Sequence, residues 1–205
     1  MARAAICISH ATGAGGEAVG RAVASRLGYR YVDDEVIERA AEWADLDPDL
    51  VADVERRKPL VARMLAVLGQ QSVPSLVAVP EPARTLPVEA DLRFLIVDVL
   101  RAAAAEGSVV LVAHAASFAL AGEDVLRVLV TASSETRAAR LAAGGLDRRA
   151  AEKEIAGSDA ARADYLSRFY GVKRELPTHF DLVVNTDVLT PEQAADVVVA
   201  AAATA

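Results

Sequence analysis

The sequence predicts a three-layer α/β/α fold around a five-stranded parallel sheet, and three of its features predict it. Short apolar runs alternate with helix-like stretches along the chain. A glycine-rich turn, Gly13-Ala14-Gly15-Gly16, joins the first such run to the first helical stretch. One run, Val109-Val110-Leu111-Val112-Ala113, is apolar at every position, the pattern of a central parallel strand covered on both faces. At 205 residues the chain is long enough for one domain with a full core and too short for two of ordinary size.

Taken in order, Ala4 to Ser9 reads as the first strand, and the turn His10 to Gly16 leads into a helix from about Glu17 to Leu27 with Val19, Ala22, Val23 and Leu27 on its buried stripe. Gly28 suits a left-handed cap, and Tyr29 to Val32 reads as a second strand. A helix is expected from about Asp34, and a further one from Asp45-Leu46-Asp47-Pro48 to about Arg57. Pro59 to Gly69 is helix-like, whereas Gln70 to Pro87 holds four prolines and little periodicity, as a long loop would. Val88 to Glu106 reads as a long helix stopped by Gly107, and Leu126 to Thr131 as the strand after Val109 to Ala113. Ser133 to Ala143 and Asp147 to Tyr170 are helical, Phe180 to Val184 is the fifth strand, and Thr190-Pro191-Glu192-Gln193 opens the last helix with a cap and a first-turn proline. In such a sheet, ligands bind at the carboxyl ends of the strands.

Composition removes several classes of function. No run of about 18 apolar residues is present to span a bilayer, and the N-terminus lacks the continuous apolar core of a secretory signal. Cys7, the only cysteine, has no intrachain disulfide partner and lies in an apolar run, which fits a reducing cytoplasm and an inert thiol. The net charge of −7 repels polyanions, so neither a nucleic acid nor an anionic membrane is expected as a partner. From Ser133 to Arg174, however, nine Lys/Arg face six Asp/Glu, a local excess suited to a small anionic ligand.

A glycine turn between strand and helix lets successive N–H groups converge on a phosphate, and the helix dipole adds positive potential there. The familiar form of such a turn ends in lysine, which reaches the terminal phosphates, and a hydroxyl that holds magnesium. Here Glu17 and Ala18 follow Gly16, so the turn offers amides without a cation of its own.

Several segments, in order and at proper spacing, resemble the cytidylate kinase-like family. Its strand-turn-helix pattern S-R-x-x-G-S-G-G-R-x-x-G is similar to Ser9-His10-Ala11-Thr12-Gly13-Ala14-Gly15-Gly16-Glu17-Ala18-Val19-Gly20, and its L-G-x-x-F/Y-Y-D-x-x-L/I to Leu27 through Ile37. A strand ending in G-R-G-A resembles the run ending Ala113-His114-Ala115-Ala116, and R-x-x-R-L resembles Arg137-Ala138-Ala139-Arg140-Leu141. The patterns D-x-x-R-x-x-Y, Y-Y-G and Y-D-L-V-I-N-T resemble Asp159 to Tyr165, Phe169 to Gly171 and Phe180 to Thr186. The resemblance covers essentially the whole chain except about Arg57 to Leu86.

That resemblance implies a P-loop kinase fold whose helical insert, about residues 34–90, binds the acceptor and whose lid spans about 137–174. It implies phosphoryl transfer from ATP with Mg2+ to a nucleoside monophosphate, CMP or dCMP by the family's name, in a cytoplasmic protein that binds a nucleotide and allows a homodimer. Such transfer is mostly positioning and charge neutralisation, so arginines and the loop carry it. Gly13, Ala14, Gly15, Gly16 and Glu17 would hold the donor phosphates. Arg137 and Arg140, a turn apart, would be phosphate-facing or else solvated surface arginines. Arg162 would reach a phosphate with Asp159 orienting it, or form an i,i+3 ion pair with it. Asp33 would serve the acceptor and cap the next helix, His10 and His114 would stand in for arginines as donors when protonated, and Asn185 and Thr186 would contact the base or cap a turn. Two histidines without a third ligand do not make a zinc site.

Three positions where the family commonly has arginine hold His10, Glu17 and His114, each without a permanent cation. Two further readings therefore stand beside an active nucleotide kinase: a nucleotide-binding protein with weak or lost catalysis acting on a partner, and a kinase of another small-molecule acceptor.

Overall fold

The strand that can tolerate burial on both faces takes the centre of the sheet. In the computed structural model, which describes residues 4–33, 97, 99–113 and 115–203, that strand is β1 (Ala5–His10), and its first five residues are buried. The chain then runs through α1 (Gly16–Leu27), β2 (Arg30–Asp33), α2 (residues 99–106), β3 (Val109–Val112), the short α3 (Ala116–Ala119), β4 (Val125–Thr131), α4 (Ser134–Ala143), α5 (Arg148–Tyr170), a 3-10 turn (Pro177–His179), β5 (Leu182–Asn185) and α6 (Pro191–Ala203). The five strands lie in the order β2-β3-β1-β4-β5, all parallel. The order reverses at β1, so the crevice expected of an open parallel sheet opens at its carboxyl end, beside His10.

Successive residues of β1 point to opposite faces and build two cores. Cys7 joins Val32, Leu111, Val99, Leu100, Ala116 and Leu120 on the side of α2 and α3. Ile6 and Ile8 join Val110, Val112, Val128, Val19, Val23, Ala194 and Val198 on the side of α1 and α6. These are the two helical layers of an α/β/α sandwich. A smaller cluster, Ala138, Ala151 and Ile155, joins α4 to α5.

The expected elements that fall in residues 34–96 lie outside the described residues, as does His114; of the helix expected from Val88 to Glu106, residues 97 and 99–106 are described and helical. Elsewhere the boundaries move by one or two residues. The fifth strand begins at Leu182 rather than Phe180 because the two preceding side chains are engaged otherwise. The Asp181 carboxylate accepts from the Arg127 amide at 2.8 Å and from its guanidinium at 2.9 and 3.2 Å, and Phe180 packs edge-on to Phe118 at 5.9 Å. The pattern did not foresee α3 or the 3-10 turn, both too short to show a period.

Two positions test this packing. A Cβ at Gly20 would lie 2.5 Å from Val112 Cγ2 and 3.1 Å from Tyr31 Cε2, so α1 reaches the sheet only because Gly20 has no side chain. Gly20→Ala is expected to lower the unfolding free energy by about 1–3 kcal/mol, measured in urea, and an unchanged midpoint would contradict this packing. Cys7 is fully buried, and burial pushes its thiol from 9.0 up to about 12. Between those values the folded chain keeps a proton that the unfolded chain has lost, so stability falls as pH rises above 9. Cys7→Ala should remove that part of the decline in denaturation curves taken from pH 8 to about pH 10.

Candidate functional site

The turn after β1 crosses from strand to helix within five residues, and two of them need a backbone that only glycine adopts freely. Gly13 and Gly15 have φ of 80° and 81°. A Cβ on Gly13 would press to 3.0–3.2 Å on the backbone and Cβ of Arg137, so the turn is seated on the first turns of α4. Gly16, the first residue of α1, is required for another reason: a Cβ there would lie 2.3 Å from the Cβ and Cγ of His10. The imidazole of His10, at the carboxyl end of β1, thus lies across the start of α1. The helix cap is Gly15, without a side-chain acceptor, so the first-turn amides of α1 remain to be satisfied from outside. By contrast Ser133 caps α4 and Asp147 caps α5 through their side chains.

The carbonyls of the same turn point into the protein and meet guanidinium groups. Arg162 NH1 donates to His10 O at 3.0 Å, Arg137 Nε to Thr12 O at 2.6 Å, and Arg140 NH1 to Gly13 O and Ala14 O at 3.3 and 3.2 Å. Two of these arginines are fixed by carboxylates. Arg137, 7% exposed, donates from both terminal nitrogens to Asp159 at 2.9 and 2.7 Å, and Arg162, 9% exposed, donates to Glu175 at 2.7 and 2.8 Å. Arg140 differs in having neutral partners: its other bonds go to the hydroxyl and carbonyl oxygens of Thr186. Thr186, at the end of β5, also donates to Ala14 O at 2.7 Å, and Thr12 and Ser158 hydroxyls meet at 2.6 Å.

The structure therefore brings Arg137, Arg140, Arg162 and Asp159 together around Gly13, Ala14, Gly15 and Gly16, with partners other than those expected. Asp159 does not orient Arg162 along α5; it reaches across to Arg137, and Arg162 takes Glu175 from the segment after the helix. Of the alternatives for the β5 end, Asn185 accepts from the Asp187 amide at 2.9 Å as a turn cap, and Thr186 pins the turn. Glu17, on the first turn of α1, is exposed and pairs with Arg21 at 3.7 Å. Asp33 is nearly buried at the carboxyl end of β2 and accepts from Arg21 at 3.4 Å. Arg148 and Arg149 lie on an exposed stretch of α5, where Arg148 pairs with Glu152 at 3.1 Å.

Sequence reasoning missed Glu175, Ser158 and Asp187, none of which stands near its partner in the chain. Asp187 accepts from the Ser133 amide and hydroxyl at 2.8 and 2.9 Å, and that amide holds its carboxyl below the usual range. Because Thr186 alone bridges the turn, Arg140 and β4, Thr186→Val is expected to cost about 1–3 kcal/mol in urea denaturation while keeping its shape. A loss below a few tenths would show the bridge to be dispensable.

Three comparisons agree with this geometry. The sequence model of the cytidylate kinase-like family matches residues 5–188. A cytidylate kinase of Desulfitobacterium hafniense (strain Y51) is 25% identical over 209 residues, covering 93% of this chain and 89% of that one. Among solved structures, an uncharacterized protein from Eubacterium ventriosum superposes at a TM-score of 0.66 with 15% identity, covering 98% of this chain and 99% of that one. Shikimate kinase from Acinetobacter baumannii, in complex with shikimate, superposes at 0.52 with 12% identity over 98% and 93% of the two chains. The sheet order, the glycine turn after β1 and the family match together establish that the chain belongs to the cytidylate kinase-like family and has a P-loop-type kinase fold.

Proposed function

We propose that this protein transfers a phosphoryl group from ATP, with Mg2+, to a nucleoside monophosphate, a CMP- or dCMP-like acceptor being favoured, and that it does so in the cytoplasm. The observation that carries the proposal is the convergence of Arg137, Arg140 and Arg162 on the carbonyls of one glycine turn that opens a helix without a side-chain cap. The turn suits a phosphate because the helix it opens has a glycine cap, with no side-chain acceptor on its first-turn amides.

In this reading the amides of Gly13, Gly15, Gly16 and Glu17 hold donor phosphates while the Ala14 amide closes the turn on Ala11 O, and ATP with magnesium supplies an activated, charge-neutralised phosphoryl group. Among the described residues no group of three His, Cys, Asp or Glu is placed to hold a metal. Arg140, the arginine at the turn without a carboxylate partner among the described residues, stabilises charge on the transferred group. Arg137 and Arg162 position the turn, through Asp159 and Glu175. Residues 137–174 act as the lid and about 34–90 as the acceptor insert, with Asp33 and His10 on the acceptor and phosphate side; His114, outside the described residues, takes that role by the family resemblance alone. Within the described residues no helix is long and apolar enough to cross a membrane.

A second reading, nucleotide binding without transfer by a partner-regulating protein, is favoured by Glu17, an exposed carboxylate at the very turn that would take an anion. Purified protein with Mg2+ and ATP, offered a panel of nucleoside monophosphates, separates the two. ADP formation fastest with CMP or dCMP supports transfer. ATP binding by calorimetry without any ADP supports the second reading, and no binding removes both. Arg140→Lys keeps the charge but loses the fork, and is expected to lower kcat/KM about a hundredfold. Glu17→Arg, which reverses the charge at the helix start, should tighten ATP binding by about tenfold, and weaker binding would place the phosphates elsewhere.

A further inference from the structure

Resting on the nucleotide-kinase reading, we infer that Arg21 is a further substrate-binding residue, the cation that grips the anionic group of the acceptor. Nothing in the glycine turn or in the family motifs points to this residue; its surroundings do.

Arg21 lies on the second turn of α1, and helical side chains lean toward the N-terminus of their helix, here toward the phosphate turn. Its guanidinium comes to rest between the first turn of α1 and the carboxyl end of β2. It stands 3.7 Å from Glu17 and 3.4 Å from Asp33, with its Cζ 4.8 Å from the centre of the Tyr31 ring. That ring braces one face of the group and leaves the edges, which carry the donors, to neighbours.

The quality of these contacts separates Arg21 from the arginines behind the turn. Arg137 and Arg162 are buried and doubly bonded to carboxylates at 2.7–2.9 Å, so each has already spent its fork. Arg21 is 55% exposed, and a single long hydrogen bond from NH2 joins it to Asp33. Most of its five donors are therefore available to an oxyanion. The two carboxylates hold the charge in place without saturating it, and both are on the side of the turn where β2 ends. An anionic group arriving there meets a pre-placed guanidinium with one face already stacked. A phosphate monoester and a carboxylate share the chemistry that such a fork binds, and the acceptor's source is what the experiment resolves.

The test is calorimetry on the full chain, comparing wild type, Arg21→Gln, Arg21→Lys and Arg26→Gln. Arg26 lies on α1 and pairs with Asp196 away from the turn, so its variant is the control. The probes are CMP, cytidine, shikimate and ATP, and melting temperatures show that each variant is folded. The expected result is that Arg21→Gln weakens CMP about tenfold or more, leaves cytidine and ATP within about twofold, and that Arg21→Lys recovers part of the loss. Loss on shikimate in place of CMP would assign the same fork to a carboxylate acceptor and would overturn the nucleotide-kinase reading while keeping Arg21 as the anion residue. Equal losses on CMP and cytidine, or CMP binding unchanged in Arg21→Gln, would overturn the inference alone. Wild type binding neither CMP nor shikimate would overturn it together with the reading on which it rests.

Discussion

A turn that offers its N–H groups to a ligand must send its C=O groups the other way, into protein, where each needs a donor. That requirement organises the rest of this molecule. Four of the five carbonyl-bearing positions from His10 to Ala14 meet it with side chains: His10 through Arg162, Thr12 through Arg137, and Gly13 and Ala14 through Arg140, with the Thr186 hydroxyl also on Ala14, while Ala11 O accepts from the Ala14 amide. The donors come from α4, α5 and the end of β5, elements more than a hundred residues away in the chain. Their arrival depends on β4 and β5 lying beside β1 in the sheet, which is the consequence of the β2-β3-β1-β4-β5 order.

Buried guanidinium groups are themselves expensive to desolvate, and the carboxylates opposite them answer that cost. Asp159 serves Arg137 and Glu175 serves Arg162, each with two short bonds. The segment from Gly171 to the 3-10 turn, which shows no periodic pattern, is held in place partly by delivering Glu175. Its other hold is aromatic: His179 and Phe180 both meet Phe118, at 5.4 and 5.9 Å, and His179 Nδ1 accepts from the Leu176 amide.

The sheet was legible because its signal is local. Apolar runs of strand length, alternating with helical periods, survive every ambiguity about boundaries, and Val109 to Val112 is buried at each position as its composition requires. Which residues cluster was legible as well, since Arg137, Arg140, Arg162 and Asp159 gather around the glycines of one turn. Their pairing was not. Spacing on α5 puts Asp159 beside Arg162, but the ion pair forms across helices because the enclosed guanidinium of Arg137 reaches both oxygens of Asp159 while Glu175 takes Arg162. Glu175 stands in a segment without periodicity, so no pattern marks it. One further signal was available and went unused. Where the resembling motif reads G-R-G-A, this chain has Ala115 at the second glycine, and Ala115 keeps the left-handed backbone with φ of 59°, a conformation that glycine adopts without strain.

The arginines around the turn differ in what an incoming anion gains from them. Exchanging a carboxylate that is bonded at two points in a buried site for a phosphate bonded at two points changes little, because the interaction lost nearly equals the one formed. Arg137 and Arg162 are in that position, and their energy is invested in the shape of the turn. Arg140 has neutral partners, but drawing it away would strip the Gly13 and Ala14 carbonyls of a donor, whereas Arg21 gives up one long bond in partly hydrated surroundings and has a net interaction still to make. The affinity of this turn for an anion is therefore set by Arg21, the least committed of these guanidinium groups, and by the amide dipoles, opposed by Glu17. Counting arginines in the sequence overstates the positive charge on offer; their partners decide how much of it reaches the ligand.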